Sequence, residues 1–296
     1  MLLKRFIIPF LFFTFCICAT NAQNSFWEKS DSLNLTKLNV LIKAESAAYG
    51  LTMLGLNQLW YSKYPKSSFH TINDNNEWLQ MDKMGHAMTA YYVGKIGMNL
   101  INWTGDNKKN QLIYGASLGF AFLTTVEIFD GFSKQWGFST GDVIANASGT
   151  SLLIGQELLW REQRIQLKYS FHQTHYATIR PDLLGSNFLE QSIKDYNGQT
   201  YWLSANLWAF SKNSKIPKWL NVAFGYGAEN MLTGNKRSND SRYRQFYVSL
   251  DVDLTKIKTK SKFLNGLFST INFIKIPAPT LSFSKHKNAK FHWFYF

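Results

Sequence analysis

The 296-residue sequence predicts an α+β protein, in which an N-terminal bundle of about four helices is followed by a β-rich, antiparallel C-terminal half. Before Trp160, apolar residues recur with helical spacing, whereas after it short alternating stretches and turn signals dominate. This change predicts a helical region over residues 23–162 and a β-rich region over residues 163–296. We expect the two regions to pack together as one unit.

The first 22 residues have the pattern of a cleavable secretory signal peptide. A positive start at Lys4 and Arg5 is followed by an apolar run, and Thr20 and Ala22 are the small residues of a cleavage site. The run is short for a membrane span, and an uncleaved N-terminal anchor is the alternative. We therefore predict an exported protein of the periplasm or the outer membrane.

Both cysteines, Cys16 and Cys18, lie inside this segment. The mature chain would therefore have no disulfide, no cysteine nucleophile and no thiolate ligand for a metal. The residues before the two cysteines, Phe15 and Ile17, are large, whereas a lipid-attachment signal requires a small residue there. Any membrane attachment would then come from the mature fold.

The predicted mature chain is basic. Two of the 32 Lys and Arg residues lie in the signal segment, which leaves 30 basic against 19 acidic residues and a net charge of +11. Because the chain is exported and 16% aromatic, we expect membrane lipid or lipopolysaccharide as the partner rather than nucleic acid, with an envelope protein as a further candidate. Ordinary solubility charge is the alternative. Much of the excess lies late in the chain, at Lys256, Lys258, Lys260, Lys262, Lys285, Lys287 and Lys290.

Four segments of ~20 residues, the length that crosses a bilayer, have the helical pattern. Only the third, in which Glu127 is the sole charged residue, is clearly apolar enough to cross. Since the mean hydropathy is −0.20, we expect a small bundle, soluble or half-embedded, rather than a multi-span inner-membrane protein. The segments run from about Leu38 to Tyr61, from near Met81 past Asn99, from Gln111 to Phe129 and from Thr140 to Trp160.

The C-terminal half contains about five to seven candidate strands. Outer-membrane barrels often end on an aromatic residue, as this chain does at Phe296, but they need roughly eight strands or more. We therefore favour a small antiparallel sheet packed on the helices. The candidate strands include Ile165–His172, Tyr201–Phe210, Trp219–Tyr226, Arg244–Leu254 and Ala289–Phe296.

Three short motifs place polar residues inside apolar helical segments. In the first, Asp82 and His86 are four residues apart and share a helix face, where a carboxylate can fix the tautomer of the imidazole. Lys83 lies beside them, and Gly85 would let another backbone come close. The motif therefore places a carboxylate beside an imidazole on one turn of helix.

The second motif ends the most apolar helix with Glu127 and Asp130. A carboxylate that is buried without a partner is costly, so Glu127 needs a partner, exposure or a proton. In the third motif Ser139 is the predicted N-cap of the fourth helix, with Asp142 three residues later as in a capping box. Asp142 shares a helix face with Asn146 and Gly149.

If the second, third and fourth helices are neighbours, the three motifs converge on one polar cluster. We predict a hydrolytic or proton-transfer site in which His86 is the base and Glu127 and Asp142 orient it or hold a metal. The alternative is a buried hydrogen-bond network that fixes helix register. No metal and no cofactor are assigned, because HExxH is absent and these motifs contain one histidine. The remaining cluster members, with binding or structural roles, are Asp82, Lys83, Gly85, Asp130, Ser139, Asn146 and Gly149.

These motifs belong to a longer pattern, made up of residues 69–74, 77–86, 127–131, 136, 139–149, 194–204 and 217–221. The pattern resembles an uncharacterised bacterial envelope family, the YfiM-like group, which is described as periplasmic lipoproteins. This resemblance implies a compartment but no activity. The helical motifs are also similar to those of VanZ-like membrane proteins, which are more apolar and are associated with glycopeptide resistance. The VanZ-like residues are Asp82, Lys83, His86, Glu127, Asp142, Asn146 and Gly149.

We predict a membrane-associated envelope protein with a structural, lipid-binding or partner-binding role. The alternative is an envelope hydrolase or lipid-modifying enzyme that uses His86, Glu127 and Asp142. An enzyme requires His86 beside an open pocket with a polar partner, whereas a structural network has the same groups sealed and satisfied. A separation of more than about 10 Å between His86 and both acids would exclude a shared site.

Overall fold

The computed structural model describes residues 26–295 except Trp60, Ser214, residues 236–240 and His286. The predicted signal peptide over residues 1–22 and the terminal Phe296 lie outside the described residues. Within them the chain is a mixture of helix and sheet, with the long helices in the first half and a six-stranded antiparallel sheet in the second. This part of the predicted fold class is confirmed.

Four long helices lie in the first half, and their bounds agree with the predicted segments to within a few residues. Within the third, residues 111–116 form a π-helical stretch. The third helix is also the one helix among the described residues that is long and apolar enough to cross a membrane, by length and composition only. The helices are α1 (Leu35–Leu59), α2 (Met81–Trp103), α3 (Lys108–Asp130) and α4 (Thr140–Trp160).

A bundle of all four helices is not confirmed. Helix α2 lies against both α3 and α4 at backbone distance, because small residues line the two contacts. A Cβ atom on Gly119 would lie 2.1 Å from the carbonyl oxygen of Ala90, and one on Gly149 would lie 1.9 Å from that of Ala87. Helix α1 lies beside this group, where the hydroxyl of Tyr49 donates to α3, and most of its described residues are exposed or half-buried. The helical core of the described residues is therefore α2, α3 and α4.

Eight strands are present in the described residues. A parallel pair of two residues each, β1 (Thr71–Ile72) and β2 (Phe138–Ser139), joins the segments that precede α2 and α4. The other six form a meander in which each strand pairs with the next. These strands are β3 (Ile165–Phe171), β4 (Gln199–Asn206), β5 (Leu220–Glu229), β6 (Tyr243–Val252), β7 (Ala278–Ser284) and β8 (Lys287–Tyr295).

The predicted strand Tyr201–Phe210 is wrong at its end. Strand β4 stops at Asn206, whose side chain accepts a hydrogen bond from the Ala209 amide and caps a short helix. Strand β7 was not among the predicted strands, since Pro279 reads as a turn signal. Short helices were also missed: α5 (Tyr176–Ile179), α6 (Pro181–Leu184), α7 (Phe188–Lys194), α8 (Leu207–Ser211) and α9 (Lys262–Ile271).

The two faces of the six-stranded sheet have reversed polarity. Paired residues on five neighbouring strands form an apolar row that is between 37% and 56% exposed. We call this side the outward face, and its row consists of Leu203, Phe224, Val248, Leu281 and Phe291. The opposite face is buried and largely polar, with Lys168, Ser204, Asn221, Asp251 and Thr280. A sheet on an aqueous surface has the opposite arrangement, with apolar residues inside and polar residues outside.

Candidate functional site

Helix α2, which contains the first predicted motif, begins after a left-handed turn. Trp78, Leu79 and Gln80 have φ angles of 46°, 50° and 69°. Such angles cost L-residues roughly 1–3 kcal/mol each and persist only where the surroundings hold them. The amide of Trp78 donates to Gly234 O at 2.9 Å, and the hydroxyl of Tyr226 donates to Leu79 O. The C-terminal half therefore helps to fix the position of the first turn of α2.

The β1–β2 pair brings the start of α4 to the same place, since Ile72 lies opposite Ser139. Ser139 is the N-cap of α4, as predicted: its Oγ accepts from the Asp142 amide at 3.2 Å. The same hydroxyl donates to Asp74 Oδ1 at 2.6 Å, and the Ser139 amide donates to Glu127 Oε2 at 3.1 Å. One capping residue therefore links three acids from three segments.

Lys83 lies at the centre of a compact group of carboxylates. Its Nζ is 2.7 Å from Asp74 Oδ2, 2.8 Å from Asp142 Oδ1 and 3.2 Å from Asp82 Oδ2. Burial opposes the charge of Lys83, but the surrounding carboxylates raise its pKa above the usual value. Burial likewise opposes the charge of Asp74, but hydrogen bonds from Lys83 and Ser139 hold its pKa below the usual value. Both groups are charged at neutral pH.

The two ring nitrogens of His86 have different neighbours: Nε2 faces this group of carboxylates, and Nδ1 faces the buried side-chain amide of Asn146. Its Nδ1 donates to Asn146 Oδ1 at 3.0 Å, which leaves the Nε2 lone pair on the carboxylate side. Nε2 is 3.7 Å from Asp142 Oδ1, 3.8 Å from Glu127 Oε1 and 3.9 Å from Asp82 Oδ1. The three residues with predicted catalytic roles thus lie together, well inside the 10 Å limit. The roles themselves stay a prediction.

The buried acids of the group ionise with difficulty. Burial, followed by the nearby charge of Asp142, raises the pKa of Glu127 to about 8. Burial, followed by the charge of Asp82, raises the pKa of Asp142 to about 6. At neutral pH Glu127 therefore retains a proton and can act as a hydrogen-bond donor or general acid.

Two members of the predicted cluster have other surroundings. Asp130 accepts a hydrogen bond from the Tyr61 hydroxyl at 2.9 Å, and no ion pair among the described residues joins it to Lys83 or His86. Burial raises the pKa of Asp130 to about 6. Gly85 was expected to admit a backbone, but a Cβ atom there would lie 3.0 Å from the hydroxyl of the Tyr201 side chain. At Gly149 the close neighbour is a backbone carbonyl of α2.

His86 and Asp82 line a cavity of about 240 Å³ that also contacts Tyr196. The Tyr196 hydroxyl donates to Asp82 Oδ1 at 2.9 Å. Gly85 and Tyr201 are shared with a larger cavity of about 750 Å³, so the two are adjacent. The larger cavity is bounded by apolar side chains of α2 and by residues in or just after α9: Met88, Val93, Ile96, Ser269 and Phe273. His86 therefore has the open pocket and the polar partner that an enzyme requires.

Several residues of this site were not predicted from the sequence. The role of Asp74 cannot be inferred from its neighbours in the sequence, because its partners Lys83 and Ser139 are distant in the chain. Tyr196 and Tyr201 belong to the C-terminal half and reach the site only through tertiary contact. Their only signal in the sequence is their place in the stretch 194–204 of the longer pattern.

Three side chains of this site have the donor types and spacing of metal ligands. One ligand atom each of Asp82, His86 and Asp142 lies within 4.8 Å of the other two. Carboxylate oxygen and imidazole nitrogen together suit zinc, manganese and iron(II). The arrangement can therefore support acid–base chemistry, and its donor set is also suited to a cation.

Residues 72–155 match a family model with the description "Predicted periplasmic lipoprotein (DUF2279)". The match begins in β1, ends within α4 and contains all three motifs of the site. The match supports an uncharacterised exported envelope protein of the periplasm. This agrees with the predicted export to the periplasm. No curated protein and no solved structure matches the chain.

Proposed function

We propose that this chain is an exported envelope protein that binds a lipid membrane surface through the outward face of its C-terminal sheet. The observation that carries the proposal is the reversed polarity of that sheet. Strands alternate their side chains between two faces, and here the apolar set lies outside while the polar set is buried. A lipid-facing sheet has this arrangement, because acyl chains replace the core as the apolar neighbour.

The exposed apolar residues of the outward face are contiguous. Phe246 lies opposite Phe283 on one neighbouring strand and Tyr226 on the other, directly beside the row through Phe224 and Val248. Exposed apolar patches of more than a few hundred Å² mark interaction surfaces on soluble proteins. Scattered exposed side chains would need no such explanation, whereas a continuous cross-strand patch does.

Helix α9 adds a second surface of the same kind. None of its residues is buried, and its apolar residues fall on one side because they are spaced one turn apart: Phe263, Leu264, Leu267, Phe268 and Ile271. Exposed lysines lie just before the helix, at Lys258 and Lys260, and at its first position, Lys262. An amphipathic helix with a basic flank is typical of a membrane interface, and each lysine near an anionic surface contributes about 1 kcal/mol. Charge and apolar surface therefore favour the same partner, an anionic membrane.

A vesicle flotation experiment tests this proposal with the mature chain, residues 23–296. We expect binding to phosphatidylcholine vesicles that contain phosphatidylglycerol, and weaker binding in high salt. The combined variant Phe224→Ser, Phe246→Ser and Phe283→Ser should weaken binding roughly ten- to hundred-fold, since it removes apolar area from the contact. The control Leu158→Ser, Leu159→Ser removes two apolar residues of α4 that are more exposed than the three phenylalanines, and it should leave binding unchanged.

Two results would contradict the proposal: no binding of the wild-type chain to anionic vesicles, or equal loss of binding in the sheet variant and the α4 control. A further arm with lipopolysaccharide in the vesicles tests an outer-membrane location. Binding that requires lipopolysaccharide would place the protein at the outer membrane rather than at phospholipid alone. Binding to an envelope protein, without binding to any of the vesicles, would also contradict the proposal that the partner is lipid.

A second candidate function is an envelope hydrolase or lipid-modifying enzyme, with His86 as base and Glu127 and Asp142 beside it. It is favoured by one observation, the opening of His86 onto a cavity next to an apolar cavity large enough for an acyl chain. Incubation with radiolabelled envelope lipids should yield product with the wild-type chain and none with His86→Gln. Equal product from both, with both folded, would assign the cluster to structure.

A further inference from the structure

We propose that Asp82, His86 and Asp142 bind one divalent transition-metal ion, with Zn²⁺ or Mn²⁺ as the class of ligand. This inference rests on the geometry of the site and not on contact with a membrane. It differs from the expectation that the sequence supports, in which no metal was assigned. It would hold whether the site catalyses a reaction or uses the metal to stabilise the helices.

The spacing of the donor atoms is close to that around a bound metal. A tetrahedral zinc ion with bonds of about 2.0–2.1 Å separates its ligand atoms by roughly 3.4 Å. His86 Nε2 lies 3.7 Å from Asp142 Oδ1 and 3.9 Å from Asp82 Oδ1. All three donor atoms fall within 4.8 Å of one another. The two distances from His86 Nε2 exceed the separation around a bound zinc ion by about 0.3 Å and 0.5 Å.

The histidine is held in the tautomer that a metal requires. Its Nδ1 is committed to Asn146 Oδ1, so Nε2 is free to act as an acceptor. Metal-ligating histidines commonly donate their second nitrogen in this way, which fixes the ring and raises its basicity. The Nε2 lone pair faces carboxylate oxygens of Asp82 and Asp142, and a cation between these atoms would bind all three.

Asp142 supplies an independent observation. Its side chain is 6% exposed, and its Oδ1 lies 2.8 Å from Lys83 Nζ and 3.7 Å from His86 Nε2. A carboxylate oxygen has two lone pairs, so Oδ1 can accept from the ammonium group of Lys83 and still bind a cation on the side that faces His86.

Lys83 competes for the same acids but does not satisfy them. It contacts Asp82 through Oδ2, whereas Oδ1 of Asp82 is the atom that faces His86. One ammonium group serves three carboxylates, Asp74 included. A second positive charge would therefore balance the group. Asp82 Oδ1 and Glu127 Oε1, which Lys83 does not contact, lie 3.9 Å and 3.8 Å from His86 Nε2, and Asp142 Oδ1, which Lys83 shares, lies 3.7 Å from it. At that distance from His86 Nε2, Glu127 could act on a metal-bound water.

Metal binding can be measured on the mature chain without any activity assay. After treatment with EDTA and dialysis, the chain is titrated with ZnCl₂ and with MnCl₂ by calorimetry, and bound metal is counted by mass spectrometry. We expect about one equivalent and a rise in the melting temperature. Asp82→Asn and His86→Ala should each weaken affinity by roughly 100-fold or more, beyond the 10–100-fold of changes outside the ligand sphere.

The control is His292→Ala, which removes a histidine that hydrogen-bonds Ser282 in the sheet, far from the site in the fold. It should bind metal as the wild type does. Asp82 is partly exposed and Asn preserves its shape, so circular dichroism should report a folded variant. Less than 0.1 equivalent on the wild type, or undiminished binding by folded Asp82→Asn and His86→Ala, would overturn the metal site. Neither result would alter the outcome of vesicle flotation.

Discussion

Each half of the molecule has a group of buried charges, and the two differ in access and in how well their polar atoms are satisfied. The helical cluster lies between α2, α3 and α4, and the sheet cluster lies under β3, β6 and the segment before β7. The helical cluster consists of Asp74, Asp82, Lys83, His86, Glu127 and Asp142. The sheet cluster consists of Lys168, Asp251 and Lys275.

The sheet cluster is sealed and its atoms are paired. Lys168 and Asp251 are both fully buried, with Lys168 Nζ 2.8 Å from Asp251 Oδ2. The same carboxylate accepts from Ser204 Oγ at 2.6 Å, and each lysine also donates to a backbone carbonyl at 2.7 Å. Lys275 lies over the ring of Trp202 at 5.0 Å. Such a network fixes the register of strands and leaves no place for a ligand.

The helical cluster differs on both points. His86 and Asp82 reach a cavity, and the buried Nδ2 of Asn146, the residue that accepts from His86, has no hydrogen-bond partner among the described residues. Buried polar groups are nearly always satisfied, so such an exception beside a residue that lines a cavity indicates a site for a ligand. The comparison teaches that burial of charge alone does not identify a functional site. Access to a cavity and a buried polar group without a hydrogen-bond partner do identify one.

The largest expected effect is a loss of stability when the sheet cluster is disrupted. Asp251→Asn would leave Lys168 and Lys275 buried without a negative partner, and breaking a buried pair in this way costs about 3–5 kcal/mol. Urea denaturation should show this loss of unfolding free energy, or an unfolded chain. The control Asp182→Asn breaks an exposed pair with Arg180 and should change stability by less than about 0.5 kcal/mol. Similar values for both variants would refute the sealed character of the sheet cluster.

The helical cluster should respond to a change in helix spacing. Gly149→Ala places a Cβ atom 1.9 Å from Ala87 O, so α4 must move away from α2 at a cost of about 1–3 kcal/mol. Because Ala87 adjoins His86, the variant should also weaken zinc binding. Gly155→Ala, on the same helix with no atom within 4 Å, should instead gain up to about 1 kcal/mol. Thermal melts of the two variants check the contrast, which fails if both behave alike.

The sequence predicted the helical cluster far better than the sheet cluster. Asp82 and His86 share a helix face by spacing alone, and the Ser139 cap is a local pattern, so both could be found without tertiary information. Lys168 could not, because strand alternation states which residues share a face but not which face is buried. In this sheet the polar face is the buried one, so the usual assumption assigns Lys168 to solvent.

A smaller expected effect is the dependence of the free energy of unfolding on pH, which Lys275 of the sheet cluster causes. Burial lowers the pKa of Lys275 from its usual 10.5 to about 8. Between these values the unfolded chain binds the proton that the folded chain has lost, so the free energy of unfolding rises with pH, by at most about 1.4 kcal/mol per pH unit. Urea denaturation from pH 7.5 to 9.5 should show the rise, and Lys275→Met should remove it. A flat profile in the wild type would contradict the prediction.

The smallest expected effect on stability comes from an Asp→Asn substitution in the helical cluster, although the same type of substitution is the most damaging one in the sheet cluster. With metal removed by EDTA, Asp82→Asn should change the unfolding free energy by less than about 1 kcal/mol. The Asp82 side chain is 28% exposed, Lys83 keeps Asp74 and Asp142 as partners, and the Tyr196 hydroxyl can donate to the new amide oxygen. Urea denaturation beside Asp251→Asn gives the matched comparison. A loss near 3 kcal/mol for Asp82→Asn would mean that the helical cluster is structural as well, because a group poised for a ligand contributes little to folding in its absence.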